Sequence, residues 1–236
     1  MIVRTVSGAR VVFTDRYGGV SAGRYWSANL ADHVGDDPEA VARNRELAAT
    51  RAGVAAPDEW VGVHQVHGNV VVCVDAPLGR PDADASVTTT VGLPLVILTA
   101  DCAPVAIVGD GVVAAVHAGW AGLEAGVIER AVDALREVAP GRFRAVLGPC
   151  IHPARYEFGA DLLDRLVTRF GDTVAARTAS GSPALDVPAA VRVALRHAGV
   201  DELDDVDVCT AGSSDYFSFR RDGETGRQAM LVVREA

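Results

Sequence analysis

Four cysteines, six histidines and two methionines are all the sulfur and imidazole donors in this 236-residue chain, and that scarcity removes several chemistries. Cys73, Cys102, Cys150 and Cys209 lie far apart with no Cys-x-x-Cys, which suits reduced thiols in a cytosolic protein rather than a disulfide framework. A trinuclear copper cluster beside a blue-copper centre needs more imidazoles and commonly a weak methionine ligand, yet one of the two methionines is Met1. The His-x-Glu and Pro-Cys-x-x-Cys signature of cytidine-deaminase zinc sites is missing too. No carboxylates pair at a spacing that points to a two-carboxylate hydrolase.

Long apolar runs are also lacking: no window reaches the ~18 to 20 residues of a membrane-spanning helix. The opening "MIVRTVSGARVVFTDR" is broken by Arg4 and Arg10, unlike a secretory signal, and the predicted location is the cytoplasm. Positive charge is in short supply, 22 Lys and Arg against 31 Asp and Glu, for a net charge of −9. Such a surface repels polyanions, which argues against nucleic acid as a partner while leaving room for a small anion in one pocket. With 49% hydrophobic residues and no repeat or low-complexity linker, residues 1–236 are expected to form one α/β domain.

The apolar runs predict its elements. "IVRTV" and "ARVVFT" form an opening hairpin, and a helix follows in which Asp36 or Asp37 caps and Pro38 takes the first position. "EWVGVHQ", "NVVVCVD" and "LPLVILTAD" read as strands, and "APVAIVGDGVVAAVHAG" as two antiparallel strands joined at Asp110-Gly111. Residues 122–139 carry apolar side chains at a 3.6-residue period and predict one helix ended by Pro140-Gly141. "RAVLGPC", "DVDVCTAG" and "RQAMLVVRE" add strands, with two amphipathic helices, "GADLLDRLVTRFG" and "VPAAVRVALRHAGV", between the first and second of them.

Three residues at predicted strand ends draw the chemistry together. His67 lies at a turn marked by Gly68-Asn69, Cys102 in "TADCAP", and His117 before "AGWAG". Two imidazoles and a thiolate make a three-ligand zinc shell that keeps a fourth position open, the catalytic rather than the structural pattern. The open backbone of Gly119 and Gly122 before a helix is a candidate anion cradle. Tyr216, Phe217 and Phe219 are candidates to stack a flat base, and Arg220 or Arg221 to pair with an anion. Cys150 and His152, stiffened by Pro149 and Pro153, read as wall residues. His64, three positions before His67, is a substrate-facing candidate set against an ordinary strand histidine.

The ordered motifs "NLADHVGDDPEAVARNR", "HQVHG", "ADCAPV", "HAGWAG", "GPCIHPARYEFG" and "FSFRRDGETGRQ" run along almost the whole chain. Together they resemble the laccase-domain, or multicopper polyphenol oxidoreductase, family, whose YfiH-like members are also described as purine nucleoside phosphorylases. The resemblance implies a layered α/β sandwich with mixed β-sheets flanked by helices, akin to cysteine hydrolases. It implies zinc, or copper, on His67, Cys102 and His117, and a homodimer. The implied reactions are phosphorolysis of adenosine, inosine, guanosine and methylthioadenosine with phosphate, and deamination of adenosine. Ala31 stands where the family commonly has glycine, and Ala121 where it usually has arginine, so Arg45 of the "NR" segment becomes the expected anion ligand. Two alternatives stay open. Cys102 could be the nucleophile of a hydrolase with His117 or His67 as base, an amidase-like role in editing peptidoglycan precursors. The family name also implies a copper-dependent polyphenol oxidase, against which the few histidines argue.

Overall fold

The β-branched runs become two mixed sheets in the computed structural model, which describes residues 1–236. The strands are β1 (Ile2–Val6), β2 (Ala9–Phe13), β3 (Val61–Gly62), β4 (Val71–Cys73), β5 (Ala85–Thr88), β6 (Leu95–Thr99), β7 (Ala103–Gly109), β8 (Val112–Ala118), β9 (Arg144–Leu147), β10 (Ala175–Arg177), β11 (Pro183–Leu185), β12 (Glu202–Asp205) and β13 (Gln228–Arg234). The first sheet has the order β1-β2-β13-β6-β3 and the second β12-β9-β7-β8-β5-β4, with β10 and β11 forming a separate hairpin. The helices are α1 (Pro38–Ala52), α2 (Trp120–Ala125), α3 (Val127–Val138), α4 (Ala160–Phe170), α5 (Val187–His197) and α6 (Phe219–Asp222).

Alternation along the strands builds the layers. In β7 and β8, Val105, Ile107, Val112, Ala114 and Val116 face the cluster that includes Leu123, Ile128, Leu135 and Leu166 of the helices. Their neighbours Ala106, Val108, Val113 and Ala115 face Phe13, Leu95, Ile97, Met230 and Val232 of the other sheet. Both faces are therefore dry, which is why these strands read as continuous apolar runs. On the outer side of the first sheet, Val12, Val96 and Leu231 pack on Ala48 and Ala52 of α1. The result is the expected helix–sheet–sheet–helix sandwich, and none of its helices is long and apolar enough to cross a membrane.

Local signals set several boundaries. Asp37 accepts from the Glu39 N–H and Pro38 opens α1, which Gly53 closes at φ +65°. The Asp110-Gly111 step joins β7 to β8 with Gly109 opposite Val112. Three expectations are corrected. The single helix over 122–139 is broken at Gly126, whose φ of +87° ends α2 and starts α3. Of "EWVGVHQ", only Val61–Gly62 pairs as a strand. "DVDVCTAG" is not a strand: β12 ends at Asp205, whose carboxylate accepts from the Asp207 N–H, and Asp207 turns to φ +55°. Beyond it Cys209 keeps only an isolated bridge to Cys150.

Phe13 of the first sheet, 1% exposed, lies against Gly148, the residue that follows β9 of the second. A Cβ on Gly148 would stand 2.1 Å from Phe13 Cε1, against a ring that has no free space to enter. Gly148→Ala is therefore expected to destabilise the fold by about 1–3 kcal/mol or more, read as a lower urea midpoint with an unchanged m-value.

Candidate active site

The site forms where the chain crosses from one sheet to the other. Cys102 stands in the turn between β6 and β7, and His117 is the last residue but one of β8, 2% exposed. His67 reaches them from the exposed turn after β3, at φ +59°. A left-handed conformation at a non-glycine residue costs on the order of 1–2 kcal/mol, so something must hold it. The holder is the carboxylate of Asp84, 0% exposed, which accepts from the N–H groups of Val66 (3.3 Å), His67 (3.0 Å) and Gly68 (2.6 Å). Successive N–H groups folded into such a concavity are a nest for an anion, here filled by the protein's own side chain. The same carboxylate accepts from His117 Nδ1–H at 2.7 Å. On the other side, Asp101 at φ +99° accepts from Thr210 Oγ1–H and the Arg220 N–H, pinning the turn that carries Cys102.

These restraints bring His67, Cys102 and His117 together, with one donor atom of each within 4.8 Å of the others. Cys102 Sγ lies 3.8 Å from His67 Nε2. Burial pushes the Cys102 thiol up, but the charge and hydrogen bond of His117 and the hydrogen bond of His67 outweigh it and lower the pKa to about 6. Burial lowers His117 in turn, and the Cys102 thiolate and Asp84 raise it to about 9. The thiol is thus primed as a thiolate, the form in which cysteine binds metals or attacks carbon. The donor set fits a zinc ion. Bonds of about 2.3 Å to sulfur and 2.0 Å to nitrogen span roughly 3.5 Å across a tetrahedral edge, near the 3.8 Å between Cys102 Sγ and His67 Nε2.

The two glycines have a tighter duty than the cradle expected of them. A Cβ on Gly119 would lie 2.8 Å from His67 Cδ2 and 3.3 Å from Cys102 Sγ, and one on Gly122 would lie 2.9 Å from the Gly68 carbonyl. Both positions are bare because the histidine turn packs onto the start of α2, itself only a short helix.

Above the three donors opens a cavity of about 570 Å³, within the range of small-molecule sites. Trp60, Leu98 and Phe219 supply apolar wall, and Arg45, Arg80 and Arg227 supply charge. The sequence contains no lysine, so apart from its histidines the cationic contacts the cavity offers a ligand are guanidinium forks. Asp32 binds Arg80 at 2.8 Å and Arg45 at 3.2 Å, tying the 77–84 loop to α1. Burial would raise the Asp32 carboxyl, but the Arg80 hydrogen bond and both arginine charges hold it well below the usual carboxylate range. A depressed carboxyl contributes stability above its unfolded pKa of about 4 and loses it as pH falls through the folded value. Asp32→Asn is therefore expected to destabilise the protein at pH 7, by no more than the ~1 kcal/mol of a half-exposed pair. The gap to wild type, measured by urea melts, should shrink as the pH is taken below about 4.

The expected residues divide on this geometry. Arg45 and His64 line the cavity, His64 at its rim with Nδ1–H donating to Asp82 at 2.7 Å. Phe217 does not. It is 0% exposed under the Arg16 guanidinium, and Phe219, 57% exposed, faces the cavity in its place. Ser218 caps α6 by accepting from the Arg221 N–H, so the two rings diverge. Arg220 also turns away: its guanidinium donates to the Glu157 carbonyl and lies over Tyr156, lining a separate surface depression. Arg221 is spent on the carbonyls of Thr210, Ser213 and Tyr216. Tyr216, Cys150, His152 and Ala121 do not line the cavity. Asp84, Arg80 and Arg227 were not among the expected site residues: Asp84 and Arg80 lie in a turn-rich stretch with distant partners, and Arg227 bonds the neighbouring Thr225 and Gly226 carbonyls, so only the fold brings it to the cavity.

A family model described as multi-copper polyphenol oxidoreductase laccase matches residues 10–235. A protein named purine nucleoside phosphorylase from Streptomyces coelicolor is 47% identical over 235 residues, covering 97% of this chain and 96% of the relative. A Neisseria meningitidis protein of solved structure superposes with a TM-score of 0.90 at 38% identity, over 100% of this chain and 99% of that one. YlmD from Geobacillus stearothermophilus superposes with a TM-score of 0.88 at 30% identity, over 98% and 93% of the two chains. With the match spanning nearly every residue and the folds superposing throughout, the chain belongs to the multi-copper polyphenol oxidoreductase laccase family.

Proposed function

We propose that the protein is a zinc-dependent purine nucleoside phosphorylase, acting on adenosine, inosine, guanosine and methylthioadenosine, with adenosine deamination as a second activity. One observation carries the reading: the His67, Cys102 and His117 donors converge at a nucleoside-sized cavity whose charge is three arginines and whose open apolar face is Phe219 and Trp60. The relatives named purine nucleoside phosphorylase support it. His67, Cys102 and His117 would hold the zinc, which supplies Lewis acidity and acidifies water bound to it, chemistry suited to substitution at purine C6. Phosphorolysis rests on the chain's own groups. Arg45 and Arg80 place phosphate beneath the ribose C1′ and offset its charge as the glycosidic bond opens. Phe219 stacks the base, and the apolar walls keep water from competing with phosphate. His64 at the rim, with its proton on Nδ1, holds its other nitrogen toward solvent and substrate.

The test is an assay of purified protein with inosine, with and without phosphate, identifying ribose 1-phosphate and hypoxanthine. Arg45→Ala is expected to raise the KM for phosphate roughly 10–100-fold, the worth of one or two charged hydrogen bonds, with a smaller effect on the KM for inosine. Base release independent of phosphate would sink phosphorolysis. One arrangement favours a second reading, a cysteine hydrolase: Asp84, His117 and the lowered Cys102 thiol stand in the order of an orienting carboxylate, a base and a nucleophile. A copper polyphenol oxidase finds less support, because His67, Cys102 and His117 form the chain's one cluster of three metal-binding donors.

A further inference from the structure

We infer that Asp84 is the positioning residue of the site, a single carboxylate that orients His117 through its ring and His67 through its backbone. The inference rests on the reading that these histidines and Cys102 hold a metal. A carboxylate can only accept, so its 2.7 Å contact holds a proton on His117 Nδ1 and leaves Nε2, on the Cys102 side, as the nitrogen that a metal would bind in place of a proton. The His67 ring has no such partner among its own contacts. It is aimed instead by its left-handed backbone, which Asp84 holds through the N–H groups of residues 66, 67 and 68. Asp84 is itself fixed on both sides: its N–H donates to the Val70 carbonyl, and its carbonyl accepts from the His117 N–H at 2.7 Å. The start of β5, the end of β8 and the turn after β3 are thereby locked at one point.

Asparagine cannot take over this duty. It has one accepting oxygen, and its NH2 group must face either His117 Nδ1 or the N–H groups of Val66 and Gly68, setting donor against donor or reversing the His117 tautomer. The experiment measures zinc affinity by chelator competition, and the cobalt–thiolate absorption band, for wild type and Asp84→Asn, with circular dichroism confirming that the metal-free variant is folded. The expected result is a zinc affinity about 10–100-fold weaker with an altered cobalt spectrum. Wild-type affinity and spectrum in a folded Asp84→Asn would overturn the inference while leaving the metal reading standing. Failure of the wild-type protein to bind zinc or cobalt would overturn both. Should Asp84→Asn not fold, long-range ¹⁵N–¹H correlation on zinc-loaded wild type decides. A protected proton on His117 Nδ1 with Nε2 bound to metal supports the inference, and the opposite tautomer overturns it.

Discussion

Cys102→Ala is expected to lower kcat/KM for inosine phosphorolysis by roughly 10²–10³-fold and to leave the protein folded but unable to retain stoichiometric zinc. The side chain is half-buried at a turn, not part of the core clusters, so its removal opens no large cavity. What is lost is the only anionic donor of the three, and with it the charge that raises His117. Two imidazoles alone make a weaker, less selective shell. The measurements are steady-state kinetics, metal analysis and circular dichroism on the same preparation. Exhaustive chelation of the wild-type protein separates the two chemistries. If turnover disappears with the metal and returns on adding zinc, Cys102 acts as a ligand. If it survives complete metal removal and still vanishes in Cys102→Ala, the thiolate is a nucleophile and the zinc reading fails.

Gly119→Ala should be nearly as damaging through one added methyl group. Gly119 sits at φ −73°, ψ 164°, a conformation alanine adopts freely, so no backbone penalty clouds the result. The effect is steric: the new Cβ lies 2.8 Å from His67 Cδ2 and 3.3 Å from Cys102 Sγ, and one of them must move. The Cys102 turn is pinned through Asp101 and the His67 backbone through Asp84, so the exposed His67 ring, whose one hydrogen-bond contact is Cys102, is what gives way, and the ligand triangle opens. A displacement near 1 Å at a reacting centre costs on the order of 10²-fold in rate. That loss in kcat/KM is expected together with weaker zinc binding and a Tm within a few degrees of wild type. Activity within twofold of wild type would show that the close approach places no demand on the chemistry.

Legibility in the sequence followed the range of the interaction. Local signals worked where they were decisive: Pro38 and Asp37, one of the two aspartates expected to cap, open α1, and Asp110-Gly111 turns β7 into β8. They were misleading where one residue overrode a pattern. The apolar period of 122–139 continues through Gly126, but the backbone there does not, because glycine at φ +87° closes one helix before the next begins. Phe217 was the expected base-stacking ring, and the structure puts Phe219 in its place. The Ser218 cap sends one into the core and the other to the cavity, and only the packing around Arg16 and Gln228 shows which.

The same boundary runs through the site. Residue types and strand-end positions drew attention to His67, Cys102 and His117, and the resemblance of the surrounding motifs to the family named them as metal ligands. The continuous β-branched runs on either side of Asp110-Gly111 also determined that β7 and β8 would form as a buried antiparallel pair. Tertiary structure decided what aims those donors and what surrounds them. Asp84 and Asp101 look like ordinary loop carboxylates until β5, β8 and the chain around Thr210 are brought together, and the arginine wall draws Arg45, Arg80 and Arg227 from three distant segments. A hydrogen bond depends on positions within tenths of an ångström, and positions of residues tens to hundreds apart in the chain are set only when both sheets have packed.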